Sequence, residues 1–191
     1  MLLIVVPDKE FFDNNTNQFF TVKGGELQLE HSLISLSKWE SKWHIPFLDD
    51  DKRSKHKKTP EMLVDYIRCM TINKNVDPRI YNCLTKENME TINAYINDPM
   101  TATVFSKVPQ DGSNPKANNS GSFITAEIIY FQMFELGIPL EFEKRHLNKL
   151  LTQIRVSSEK KAQINNPKKL SGSELAKQNR ALHAARRKPH R

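Results

Sequence analysis

Glu141, Glu143 and His146 are the residues whose types and spacing come nearest to a reactive set. Two carboxylates and an imidazole within six positions could share acid–base work, and Glu143 with His146 has the i, i+3 spacing of half a carboxylate-bridged di-metal motif. That motif needs a second Glu-x-x-His on another helix, and the chain has none. The three residues read better as a solvated helix start, with its acids near the positive helix end. Other chemistry is equally bare. The sole Gly-Gly is Gly24-Gly25, far from any phosphate-loop pattern, and no Gly-x-Ser-x-Gly elbow or His-x-x-x-His occurs. Asp49, Asp50 and Asp51 lack the alternating ligands and turn glycine of a calcium loop. Cys69 and Cys83 have no flanking metal-type partners and read as small buried hydrophobes in a reducing compartment. His31 reads as a capping or packing residue. Neither an enzyme nor a bound cofactor or metal is expected.

Charge is the second clue. Residues 155–191 hold eleven Lys/Arg against Glu159 and Glu174, whereas residues 1–154 hold eighteen against twenty Asp/Glu. The overall +7 therefore belongs to a C-terminal extension on a nearly neutral body. Lys177, Arg180, Arg186, Arg187 and Lys188 could neutralise phosphates or dock on an acidic protein surface. No aromatic residue is interleaved, which argues against stacking on single-stranded nucleic acid. No apolar run approaches membrane-spanning length, and the opening LLIVV is too short for a signal peptide, so no membrane partner is expected.

These features need a scaffold, and the periodicity supplies one. Residues 2–6 read as a strand, and 19–22 and 26–30 as two more joined by Lys23-Gly24-Gly25 as a hairpin connection. Leu33, Leu36, Trp39 and Trp43 form one face of a helix over 32–44. Core docking is the stronger reading for that face, and a partner surface at Trp39 and Trp43 is the other. Thr59-Pro60-Glu61 starts a helix reaching about residue 72, Asp77-Pro78 opens a short segment, and Thr85 with Asn88 starts a further helix. Residues 49–58 and 106–122 read as loops, and 100–105 as a strand or an extended run. Residues 123–156 are expected to form the central antiparallel helical hairpin: an almost wholly apolar first helix, a stop at Gly137-Ile138-Pro139, and a second helix striped by Leu147, Leu150, Leu151 and Ile154. The expected fold is mainly α (α+β). A β-hairpin region spans 1–30 and a helical body 31–164, with flexible loop 106–122. A basic linker and tail helix span 165–191, marginal until a partner orders them.

Five blocks together carry a resemblance: LQLEHSLISLSKWESKWHIPFL (27–48), KTPEMLVDYIRCMTI (58–72), NDPMTATVF (97–105), ITAEIIYFQMFELGIPLEFEKRHLNKLLTQIRV (124–156) and NRALHAARR (179–187). Their order and spacing resemble the tail assembly chaperones of tailed bacteriophages. Tyr130-Phe131-Gln132 stands where that pattern has an aromatic pair and Trp, and Arg145 where it has Trp; the resemblance implies that both departures bear on a partner-facing surface, with Arg145 a candidate partner contact. The resemblance implies a non-enzymatic binding role in the host bacterial cytoplasm, with tape measure, tail tube or baseplate subunits as partners and a homo-oligomer compatible. The alternatives are a structural virion component of the tail, baseplate or neck, and a nucleic-acid-binding protein using the basic tail.

Overall fold

The computed structural model describes residues 1–48, 58–103, 124–165 and Arg180. It divides into two units, Met1–Arg155 and Val156–Arg191. The N-terminal strands share a core with the helices. Residues 49–57, 104–123, 166–179 and 181–191 lie outside the description. With them lie the Asp49–Asp51 run, the 106–122 loop and most of the 165–191 extension.

Strands β1 (Leu2–Val6), β2 (Lys9–Asp13), β3 (Gln18–Val22) and β4 (Gly25–Leu29) pair antiparallel as β1–β4 and β2–β3. The partners run from Leu2↔Leu29 to Val6↔Gly25, then from Lys9↔Val22 to Asp13↔Gln18. Each pair of residue numbers adds to the same total, so the two ladders form one ribbon in constant register, broken at Pro7-Asp8 and Lys23-Gly24. This corrects the expected hairpin connection at residues 23–25. The reversal lies at 14–17, where the Asp13 carboxylate accepts from the Asn15 backbone N–H and the Thr16 hydroxyl, both at 2.9 Å, and Asn17 takes φ 55°. At the break, Pro7 has no N–H to donate, and Asp8 accepts from the Gly24 N–H at 2.7 Å instead. A Cβ on Gly24 would overlap the Val6 carbonyl oxygen and Pro7, so the chain needs glycine there.

Helices α1 (Leu33–Trp43), α2 (Pro60–Met70) and α3 (Lys86–Asn97) start as the cap residues require. Ser32, Thr59 and Thr85 each accept from a backbone N–H three residues on. Asn88 completes a capping box by accepting from the Thr85 N–H at 3.1 Å. A 3-10 segment, Pro78–Cys83, precedes α3. The outer edge of β4 is closed by the chain after α2: Ile72 N–H donates to the Gln28 carbonyl at 2.8 Å, and Asn73 accepts from Gln28 N–H and donates to the Glu26 carbonyl. The larger core lies between ribbon and helices. It contains Ile4, Val6, Val22, Leu27 and Leu29 from the strands, with Trp39, Tyr66, Ile67, Met70, Ile80, Ile92 and Tyr95 from the helices.

The expected helical hairpin corresponds to α4 (Ala126–Glu135) and α5 (Leu147–Asn165), with a second 3-10 segment, Leu140–Lys144, between them. Gly137 stops α4 with φ 67°, a left-handed conformation suited to glycine. The two helices share a second cluster: Ala126, Ile129 and Met133 with Leu147, Leu150 and Ile154. Leu33 and Leu36 of α1 complete it, and α1 also places Trp39 in the first cluster. The element on which both cores rest is therefore α1 rather than the 123–156 hairpin. Its mixed face faces two ways because Leu33 and Leu36 point to α4 and α5 while Trp39 points to α2.

Candidate functional site

Glu141, Glu143 and His146 do not converge. Glu143 accepts from the Tyr130 hydroxyl at 2.8 Å near the surface, whereas His146 is buried. Its ring lies 5.1 Å from that of His31 and 4.8 Å from that of Tyr95. Among the described residues no group of three or more metal-type side chains is placed to hold an ion.

What His146 joins instead is a polar junction inside the core. His31 Nδ1 lies 2.6 Å from the Tyr66 hydroxyl, and His146 Nε2 lies 3.0 Å from the Tyr95 carbonyl oxygen. A carbonyl only accepts, so Nε2 of His146 carries the hydrogen, and its buried Nδ1 has no hydrogen-bond partner among the described residues. The Tyr95 hydroxyl donates to Glu30 at 2.7 Å, and Glu30 is paired with the N-terminal ammonium of Met1 at 2.7 Å. The backbone is tied at the same place: Leu147 N–H donates to the His31 carbonyl. Burial, with a smaller contribution from His146, depresses the His31 pKa to about 3. Burial likewise raises the Tyr66 hydroxyl far above its usual range. The pair has no substrate-accessible geometry, and its place between β4, α1, α2, α3 and α5 makes it a structural fastening.

A second polar fastening is Glu40, near the end of α1. Its two carboxylate oxygens accept from Phe47 N–H at 2.8 Å and Ala126 N–H at 2.7 Å. Thr125, at the N-cap of α4, makes no side-chain cap bond, so a carboxylate from another helix meets the positive end of α4. Burial raises the Glu40 pKa, and the two backbone donors oppose that. Glu40→Ala is expected to lower unfolding free energy by about 2 kcal/mol by orphaning two buried donors. Glu40→Gln should recover part of it, since an amide offers one acceptor. Urea unfolding of the three proteins checks both.

The surface holds the more suggestive feature. Helix α4 is apolar on both sides: Ala126, Ile129 and Met133 are buried in the core, and Tyr130 packs partly buried against the same cluster. Ile124, Phe131 and Phe134 are 51 %, 64 % and 86 % exposed, and Leu140 just beyond is 63 % exposed. Within α4, half-buried Ile128 and exposed Phe131 and Phe134 fall at i, i+3 and i+6, on the side away from the buried face, and Ile124 precedes the helix. The expectation that α4 would be buried almost all round is thus corrected: the helix lies at the edge of its cluster. The ribbon shows a second exposed pair, Phe12 and Phe19, with ring centroids 4.9 Å apart. No family model, curated protein or solved structure matches this chain.

The residues singled out as partner contacts separate. Trp39 is fully buried, with its indole N–H donating to the Met62 carbonyl at 2.8 Å, so it is a core residue and touches no partner in this fold. Trp43 is half-buried and donates to Asp65 at 2.9 Å, beside the Lys42–Asp65 ion pair. Arg145 is exposed, with its guanidinium carbon 3.5 Å from the centroid of the Phe142 ring. Arg180 is helical and exposed, and Lys177, Arg186, Arg187 and Lys188 fall outside the described residues. Cys69 is half-buried and Cys83 buried, both free thiols, in keeping with small apolar packing. A cleft of about 330 Å³ is lined by Ser32, Ser35, Lys38, Cys69, Met70 and Lys144 among others. Its serine hydroxyls are engaged with each other and with the Glu30 carbonyl. The exposed α4 stripe was missed because periodicity says that a helix has apolar faces, not which of two it buries. Among the described residues, no helix is long and apolar enough to cross a membrane.

Proposed function

We propose that the chain is a protein-binding module without catalysis, a tail assembly chaperone that holds the tape measure and tail tube proteins of a bacteriophage during assembly. The observation that carries the binding reading is the exposure of Phe131 and Phe134 on α4, with Ile124 just before it and Leu140 in the 3-10 segment after it, all large apolar side chains open to solvent. Exposing such a row is unfavourable unless something covers it, and contiguous apolar surface marks interaction sites. The phage assignment rests on the five sequence blocks, among them the 124–156 block that contains this surface.

Co-expression with the tape measure and tail tube proteins of the same genome tests the reading. The expected result is a soluble complex that survives gel filtration, and a protein missing from purified virions by mass spectrometry. The double variant Phe131→Ser/Phe134→Ser should keep its melting temperature and lose at least tenfold in complex yield. No complex with either protein would overturn the chaperone role, and stoichiometric presence in virions would favour the structural tail component.

A further inference from the structure

The ribbon has four outer strand edges, and the fold covers three of them. Ile72 and Asn73 close the edge of β4. Helix α3 lies along β1, and its Asn88 amide donates to the Val5 carbonyl at 3.2 Å. Strand β3 lies beside the 3-10 segment Pro78–Cys83. The outer edge of β2 meets no backbone donor or acceptor among the described residues. Such an edge is a template for another strand. The β2–β3 hairpin is also thinly supported, since two strands alone are marginal in water. Val22 is buried and Phe11 packs against the larger core, but Phe12, Phe19 and Phe20 are 46 %, 68 % and 40 % exposed.

We propose that β2 pairs antiparallel with β2 of a second copy of the chain, joining two hairpins into a four-stranded sheet of order β3–β2–β2–β3. A second copy is the occupant because the strand complements itself. A two-fold axis perpendicular to the sheet keeps like faces on one side, so opposed residues share parity and the axis passes through a residue. Lys9-Glu10-Phe11-Phe12-Asp13 then allows three central residues. An axis through Glu10 sets Glu10 against Glu10 of the second copy. An axis through Phe12 sets Phe11 against Asp13 of the second copy. An axis through Phe11 sets Lys9 against Asp13 at both ends, with Phe11 against Phe11 and Glu10 against Phe12. This last register alone opposes unlike charges, which is favourable across strands, whereas like charges opposed are not. Asp13 is present as a carboxylate, since the Asn15 N–H and the Thr16 hydroxyl hold its pKa below the usual range. The exposed Lys9 ammonium lies over the Phe11 ring at 5.3 Å and 3.5 Å from the Asn82 carbonyl oxygen, and no carboxylate pairs with it among the described residues. The same register extends an existing stack. Phe11 and Phe20 lie 5.8 Å apart, centroid to centroid, so pairing through Phe11 makes one row of four rings across the sheet. Pairing uses no residue of α4, and it stands whether or not tape measure or tail tube proteins bind.

Sedimentation velocity of the full chain between about 1 and 200 µM tests the proposal. The expected result is a reversible monomer–dimer equilibrium. Lys9→Glu sets a second carboxylate against Asp13 at both ends, and it should weaken the dimer at least fivefold with an unchanged far-ultraviolet circular dichroism spectrum. Cysteine cross-linking reads the register. Glu10→Cys and Phe12→Cys proteins, mixed and oxidised, should give a disulfide heterodimer in at least fivefold greater yield than either protein alone. Opposed residues hold their Cβ atoms about 4.5–5.5 Å apart, whereas the diagonal 10–10 and 12–12 pairs are about 7–8 Å apart, too far for a disulfide. The parent chain, with Cys69 and Cys83 free, supplies the background. A chain that stays monomeric throughout, a dimer indifferent to Lys9→Glu, or equal cross-linking in mixed and single samples would each overturn the proposal. So would a dimer that Phe131→Ser dissolves, since α4 would then be the interface.

Discussion

Trp39→Ala should remove about 3–5 kcal/mol of unfolding free energy, the range for emptying a large aromatic from a packed core. Trp39 is fully buried, and its ring lies 5.0 Å from Phe47 and 6.4 Å from Tyr66, centroid to centroid, nearly perpendicular to both. Phe47 and Tyr66 in turn stack at 3.8 Å. Removing the indole opens the space in which α1, α2 and the Phe47 segment meet, and it also deletes the bond to the Met62 carbonyl. A domain holds only about 5–15 kcal/mol in total, so the variant should be largely unfolded at moderate urea. Trp39→Phe separates the two contributions. It keeps most of the apolar area, loses the N–H, and should forfeit about 1–2 kcal/mol. Asp65 supplies a control, since it accepts from Lys42 and Trp43 at the rim of the same contact. Trp43→Phe should matter less than Trp39→Ala because Trp43 is only half-buried. If urea midpoints rank these variants otherwise, the load of the α1–α2 contact does not rest on Trp39.

The features legible in the sequence were those fixed by neighbours in the chain. Thr59-Pro60-Glu61 and Thr85 with Asn88 mark helix starts because capping is an affair of three or four residues. Leu147, Leu150 and Ile154 mark a buried stripe because one helix carries all of them on one side. The ribbon was misread where a local signal competed with a distant one. Gly24-Gly25 looks like a turn, yet glycine at 24 answers the close approach of Val6 and Pro7, and the register is fixed by the reversal at 14–17. The α4 surface was hidden for a different reason: Phe131 and Ile129 are equally apolar, and the positions of α1 and α5 decide which is covered. The partnership of Glu40 with Ala126 and of His31 with His146 joins residues far apart in the chain. Such pairs leave no periodic trace in a single sequence.

The His31–His146 junction carries the largest expected response to solution conditions. The His31 pKa is about 3 in the fold, against 6.5 in an unfolded chain. Above pH 6.5 both states hold the ring neutral, and the fold keeps its full stability. As pH falls below 6.5, the unfolded chain takes up a proton that the folded protein refuses. Unfolding free energy should then drop by about 1.4 kcal/mol per pH unit, or about 2.7 kcal/mol by pH 4.5, until the folded ring itself titrates near pH 3. Two carboxylates modify the curve with opposite signs. Glu40, whose pKa is raised by burial, takes a proton more readily when folded and offsets part of the loss just above its ordinary value of 4.5. Asp65 is buried too, but its bonds from Lys42 and Trp43 outweigh that and lower its pKa, so its contribution is lost only below about 3.8. Both carboxylates are present in any His31 variant, so the comparison isolates the imidazole. His31→Asn is the informative substitution, because its amide can keep the bond to Tyr66 and cannot titrate in this range. Its stability at pH 7.5 should be lower than that of the parent, and its decline from pH 6.5 to 4.5 should be shallower by about 1.4 kcal/mol per unit. A histidine that protonated freely while folded would instead give parallel curves, and the junction would then be open to water rather than sealed between β4, α2 and the start of α5.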